Sequence, residues 1–172
     1  DRMVVFGCGP IGMLALLTGK AAGSTVVVVE PQPYRRKLAL ELGADAAVDP
    51  TEGDLEDQVR SYTDGRGATL VVECSGNDAA RAGTLDVVAN RGRIVLIGLR
   101  GMNHKVPIDL DKAIFKGATI RGGDGSSFFL SKTLAFLSRV GVDVGRVITH
   151  RFPLEQVVKA LELGGTKGES SK

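Results

Sequence analysis

Apolar runs alternate with glycine-punctuated polar stretches along the whole chain. "MVVFG" reads as a strand, 10–22 as a helix, "TVVVVE" as a strand and 34–42 as a helix closed by Gly43. The alternation continues with a short strand in "DAAVD", a helix over 54–63, the strand "ATLVVECSG", a helix over 78–89 and the strand "GRIVLIG". Further on, the pattern predicts a short helix at 110–115, the strand "ATIRGG", a helix over 127–140, a short strand at Val147 and Ile148, and a helix over 154–163. Residues 26–29 are valine at every position, so both faces of that strand must be covered. Strand, helix, strand repetition with short connections then gives right-handed crossovers and an α/β fold, a doubly wound parallel sheet with helices on both faces and strand order 3-2-1-4-5-6. In the first helix Ile11, Leu14 and Leu17 recur every three residues and are expected to face the core.

The first strand turns into the first helix through "GCGPIG", in which Gly7, Gly9 and Gly12 make G-x-G-x-x-G. Each glycine has a physical task there: Gly7 permits the tight turn, Gly9 lets a pyrophosphate approach the backbone, and Gly12 lets the helix pack close to the sheet. Pro10 suits the first helical turn, where its missing N–H would have had no partner. That leaves the N–H of Ile11 to meet a phosphate, aided by the positive end of the helix dipole. Glu30 ends the second strand 18 residues after Gly12, where a carboxylate accepts hydrogen bonds from the two adenosine ribose hydroxyls. It would repel a 2′-phosphate, which argues for NAD over NADP. Arg35 and Arg36 follow closely and pull the other way, since either could pair with a phosphate.

Composition narrows the classes. A chain of 172 residues with 22 basic and 20 acidic side chains holds one domain with a core and offers no electrostatic case for nucleic acid. No run approaches the roughly 20 apolar residues of a membrane-spanning helix, so the expectation is a cytoplasmic chain with no membrane partner. Cys8, Cys74, His104 and His150 show none of the close spacings of a zinc site, and no metal ligand or catalytic residue is assigned to this chain. Cys8 and Cys74 end strands that neighbour one another in the expected order, so their thiols should lie close together and remain reduced; both histidines read as structural or solvated. Asp1 stands directly before a buried strand and "GTKGESSK" ends in a polar stretch, which reads as a piece of a longer protein.

Together "GCGPIGMLALLTGKAAG", "VVVVEPQPYRRKLALELGAD", "LVVECSGNDAA", "GRIVLIGL" and "ITHRFPLEQVVKALEL" resemble the medium-chain, zinc-dependent alcohol dehydrogenases, with the polyol (sorbitol) and threonine dehydrogenase branch the nearest in appearance. The resemblance spans nearly the whole chain and implies a Rossmann NAD-binding domain over 1–125, followed by an extension over 126–172 that returns to pack on an N-terminal GroES-like catalytic domain. That domain, with its zinc ligands, is missing from the sequence, so zinc would be held there and this chain alone would be inactive. By the same resemblance Gly9, Pro10, Ile11 and Gly12 meet the pyrophosphate, Glu30 and Arg35 the adenosine ribose, and Ser75 the edge of the adenine site. Ile97, Gly98 and Leu99 stand beside the nicotinamide ribose, Gly123, Asp124 and Gly125 near the carboxamide, and Lys172 is the basic residue available to the pyrophosphate. The substrate would be a small alcohol or polyol, oxidised at a secondary carbon. The family's pairing of cofactor domains implies a homodimer, or a tetramer, through residues 99–122.

Two other classes share parts of the pattern. A regulatory module would bind NAD or another nucleotide in the same loop without chemistry, yet has no reason to carry "ITHRFPLEQVVKALEL". An S-adenosylmethionine methyltransferase also follows its first strand with a glycine-rich loop and an acid, but its loop rarely keeps a proline-led G-x-G-x-x-G.

Overall fold

The computed structural model describes residues 1–123 and 129–165. Its sheet joins β1 (Arg2–Phe6), β2 (Thr25–Val29), β3 (Ala46–Val48), β4 (Ala68–Glu73), β5 (Val88–Leu96) and β6 (Thr119–Gly122) in the order β3-β2-β1-β4-β5-β6, with every neighbouring pair parallel. This is the expected doubly wound order. The helices are α1 (Pro10–Ala21), α2 (Pro33–Glu41), α3 (Leu55–Ser61), α4 (Asp78–Val87), α5 (Leu110–Lys116), α6 (Leu130–Val140) and α7 (Val157–Gly165).

Alternation along the strands divides the core in two. Val4 and Phe6 of β1 and Val27 and Val29 of β2 point into one layer, with Val59 of α3 and Leu85 of α4. Met3, Val5, Val26 and Val28 point into the other, with Met13, Leu16 and Leu17 of α1 and Ala39 of α2. Both faces of β1 and β2 are therefore dry, which is what an all-valine strand requires.

The buried face of α1 differs from the one expected. Met13, Leu16 and Leu17 are buried, whereas Ile11 is 50 % and Leu14 38 % exposed. A three-residue spacing drifts round a helix of 3.6 residues per turn, and the glycines settle the orientation. A Cβ on Gly12 would stand 1.8 Å from the Gly7 carbonyl oxygen and one on Gly19 would stand 2.5 Å from the Met3 sulfur, so the side of the helix carrying them is pressed against β1 and its loop.

Two other departures lie farther along. Helix α4 stops at Val87, two residues before its expected end, and β5 starts at Val88 with a register slip against β4. The cause is Lys116 at the end of α5, whose ammonium donates to the carbonyls of Leu85, Asp86 and Val88 at 2.7, 2.9 and 2.9 Å and so caps α4 from outside. Instead of the strand expected at Val147 and Ile148, the chain makes a 3-10 turn over Val144–Val147, begun by Asp143, whose side chain accepts from the Gly145 N–H at 2.9 Å. Val142 and Val147 pack on the core beside α1, and Arg146 donates to the Glu41 carbonyl, fastening this segment to the body. A further 3-10 turn at Leu154–Gln156 precedes α7.

Burial pushes the Lys116 ammonium below the usual lysine range, so its three carbonyl partners are what keep the charge tolerable inside. Replacing it in Lys116→Met leaves those carbonyls, two of them on buried residues, without a donor. The expected loss is about 2 kcal/mol, or roughly 4–8 °C in Tm by thermal denaturation. An unchanged Tm would mean that water already serves them.

Candidate functional site

The carboxyl ends of β1, β2 and β4 open onto a cavity of about 880 Å³, walled by the loop after β1, the turn after β2, the turn after β3 and the start of α4. It lies where the strand order reverses, between β1 and β4. Gly7, Gly9, Pro10 and Ile11 form one wall. The Gly7 N–H donates to the Val29 carbonyl at 2.8 Å, and the first intrahelical bond of α1 runs from Met13 N–H to the Gly9 carbonyl at 2.9 Å. The N–H groups of Ile11 and Gly12 precede that bond and have no acceptor within the helix. With Pro10 contributing no donor, the loop offers an anion two N–H groups at a positive helix end. The Cα of Gly12 packs on the Gly7 carbonyl, where a side chain would not fit.

Glu30 stands opposite, on the cavity wall yet 3 % exposed. Its Oε2 accepts from the Cys8 N–H at 2.8 Å and its Oε1 from the Gln32 N–H at 3.0 Å. One lone pair on each oxygen is left for a ligand hydroxyl. The carboxylate thus ties the glycine loop to the turn that follows β2. Arg35 lines the same wall, and its charge is felt at Cys8 across the loop. Arg36 turns away: its Nη1 lies 2.9 Å from the Glu30 carbonyl, 2.7 Å from the Pro31 carbonyl and 2.7 Å from Asp49 Oδ2. Asp49 also takes the Thr51 N–H and hydroxyl at 2.9 and 2.7 Å. These bonds, from Thr51 first and then Arg36, hold its carboxyl below the usual carboxylate range.

On the other flank of β1 lies Glu73, fully buried at the end of β4 and passed over in reading the sequence. Its Oε1 accepts from Ser75 N–H (2.7 Å), Ser75 hydroxyl (2.5 Å) and Gly76 N–H (2.9 Å), while Arg81 Nε stands 3.8 Å from Oε2. Arg81 also donates to the Gly98 carbonyl at 2.8 Å. Ser75 lines the cavity, but its hydroxyl is spent on Glu73 and on accepting the Asn77 N–H at 3.0 Å. Its Cβ rests where a side chain on Gly7 would begin, at 2.8 Å. A carboxylate ending an apolar strand directly before Cys-Ser-Gly was the signal available in the sequence.

Ile97, Gly98, Leu99 and Gly123 do not line this cavity. They gather at the ends of β5 and β6, where Gly123 N–H donates to the Leu96 carbonyl at 2.7 Å and a Cβ on Gly123 would meet Ile97 at 2.8 Å. Gly98 lies against Gly76, so this second group adjoins the Ser75 loop. Leu99 is 91 % exposed. Asp124, Gly125 and Lys172 lie outside the described residues.

Cys8 and Cys74 are free and belong to one apolar cluster, close enough for the charge state of Cys8 to be felt at Cys74. Burial first, then the charges of Glu30 and Glu73 respectively, pushes both thiols up to about 12, so neither is a nucleophile at neutral pH. His104 Nε2 bonds Asp78 Oδ1 at 2.8 Å, and His150 meets Thr149 and stacks on Phe152. Among the described residues no three His, Cys, Asp or Glu side chains come together as a metal site. No described helix is long and apolar enough to cross a membrane.

What remains is a cavity with N–H donors at one wall and a buried acceptor at the next, suited to a ligand that joins an anionic group to a hydroxyl-bearing one. Residues 10–139 match the family model described as zinc-binding dehydrogenase. The chain is 41 % identical over 163 residues to the L-threonine 3-dehydrogenase of Bacillus subtilis (strain 168), covering 92 % of this chain and 46 % of the relative. Among solved structures it resembles an alcohol dehydrogenase from Thermus sp. ATN1 (TM-score 0.87, 27 % identity, 95 % of this chain and 48 % of that one) and 2R,3R-butanediol dehydrogenase from Bacillus subtilis (TM-score 0.88, 25 % identity, 99 % and 49 %). The chain spans about half the length of the curated relatives it matches. A family match over most of its residues, on the sheet order and glycine loop described above, means that the chain belongs to the zinc-binding dehydrogenases.

Proposed function

We propose that this chain is the cofactor-binding part of an NAD-dependent dehydrogenase that oxidises a small secondary alcohol, in the class of the threonine and diol substrates for which its relatives are named. The single observation that carries the reading is Glu30, a buried acceptor on the cavity wall, bonded to the glycine loop that would hold the pyrophosphate. NAD supplies the hydride acceptor. The chain's own residues bind and orient it: Ile11 and Gly12 N–H groups take the pyrophosphate, Glu30 accepts from the ribose hydroxyls beside Arg35, and the Ser75 loop closes the adenine end. Ile97, Gly98, Leu99, Gly123, Asp124 and Gly125 are proposed for the nicotinamide end. Glu30 favours NAD over NADP because its charge repels a 2′-phosphate.

Residues 1–125 form the cofactor domain in this reading and 126–172 the extension toward a GroES-like catalytic domain, where zinc would polarise the alcohol. Two free thiols suit a reducing cytoplasm. The family match speaks against a regulatory module without chemistry. Pairing of two chains through β6 is supported by that strand's place at the sheet edge, its exposed residues, and the exposed Ile114 and Phe115 of the adjoining α5.

Fluorescence titration should find NADH bound more tightly than NADPH, and Glu30→Ser should bring the two affinities together. Equal affinities in the parent chain would count against the ribose assignment. Gly9→Val should remove saturable NADH binding while the circular dichroism of the fold persists, because its side chain occupies the pyrophosphate's approach; retained binding would put the phosphate elsewhere. For assembly, light scattering should give a dimer that Thr119→Pro, which removes a β6 donor, converts to monomer. A dimer that survives this change does not use the β6 edge.

A further inference from the structure

Among the described residues the Arg36–Asp49 pair is one of the least exposed ion pairs. The two side chains are 18 % and 10 % exposed, and the guanidinium nitrogen that meets the carboxylate at 2.7 Å also lies against the carbonyls of Glu30 and Pro31. Asp49 in turn is fixed by Thr51 through two bonds. The pair therefore joins the turn after β2 to the turn after β3, and both turns line the cavity through Glu30, Pro31, Pro50 and Thr51. Arg36 does not line the cavity, but its Nη1 lies 2.9 and 2.7 Å from the carbonyls of Glu30 and Pro31, two residues of the wall on which a ribose would rest.

A guanidinium at that distance from an adenosine ribose is the group best suited to grip a 2′-phosphate, by two parallel charge-assisted hydrogen bonds. One terminal nitrogen of Arg36 is already engaged elsewhere, Nη1 meeting Asp49 and the Glu30 and Pro31 carbonyls. We propose that Asp49 is a specificity-determining residue of the cofactor site: it keeps Arg36 behind the wall and so denies NADPH a cation that the sequence places within reach. Discrimination then has two parts. Glu30 repels the extra phosphate from the front, and Asp49 withholds a compensating charge from behind. The inference rests on the proposed binding of NAD at Glu30 and adds to it a residue that touches no cofactor atom.

Asp49→Asn removes the charge that anchors Arg36 while keeping an acceptor for Thr51. In fluorescence titrations of the folded variant with NADH and NADPH, the affinity ratio should move toward NADPH by about tenfold, the size of a hydrogen bond to a charged group. Asp49→Asn with Arg36→Gln should return the ratio to that of the parent chain. An unchanged ratio in Asp49→Asn overturns the proposal, as does a shift that persists without Arg36. Should Asp49→Asn not fold, Arg36→Gln alone decides. If Arg36 is held away from the cofactor in the parent, the two affinities change by the same factor. A selective loss for NADPH would show that Arg36 already meets the phosphate. A parent chain that binds NADH and fails these tests loses the role of Asp49 alone, whereas one that binds no NADH loses the reading of Glu30 as well.

Discussion

A carboxylate removed from water must find its hydrogen bonds in the protein, and two such groups organise the end of this sheet. Glu30 closes β2 and Glu73 closes β4, the two strands that flank β1. Both are almost wholly buried, and both are served mainly by backbone N–H groups: Cys8 and Gln32 for the two oxygens of the first, Ser75 and Gly76 for Oε1 alone of the second, whose Oε2 has no hydrogen bond among the described residues and faces Arg81. The cost of a buried anion without donors is several kcal/mol, so the loops that supply those donors are held in the shapes that reach them. The cavity rim is in this sense built around two negative charges, with Arg81 offsetting one of them from 3.8 Å.

The sheet puts those charges where they can act. Because β1 and β2 are dry on both faces, α1 and α2 must cover one side and α3 and α4 the other, and the crossovers deliver each strand-end loop to the same edge. Lys116 belongs to this scheme although it does not itself line the cavity. By ending α4 from outside it fixes where β5 begins, and β5 in turn sets the height of the loop that carries Gly98.

Much of this was legible in the residues. Four consecutive valines demand a two-sided burial that few folds provide, and a glycine motif between strand and helix marks the loop against which the rest is arranged. The misreadings have a common physical source, namely choices made by groups distant in sequence. Spacing alone put Ile11 and Leu14 in the core, whereas Gly12 and Gly19 decide which side of α1 can approach β1. The end of α4 depends on a lysine about thirty residues later. Val147 and Ile148 have β-branched side chains suited to a strand, yet Asp143 captures the backbone first. At the site, Glu30 was visible because an acid after that strand has a known use. Glu73 and Asp49 were not, and Arg36 stood out only as a phosphate partner, since the value of the three lies in partners that only the fold assembles.

The contact between the loops after β4 and β5 carries a mechanical consequence. A Cβ on Gly98 would stand 2.1 Å from the Gly76 nitrogen, and one on Gly76 would stand 2.9 Å from the Leu99 oxygen. Main chain lies against main chain, and the one side chain at the joint, Glu73, is fully buried. Such a joint has no soft element, so a displacement of one loop is passed to the other almost undiminished. The two ends of a long ligand, one resting near Ser75 and the other beyond Gly98, would be gauged by a single stiff span whose length is set by the backbone.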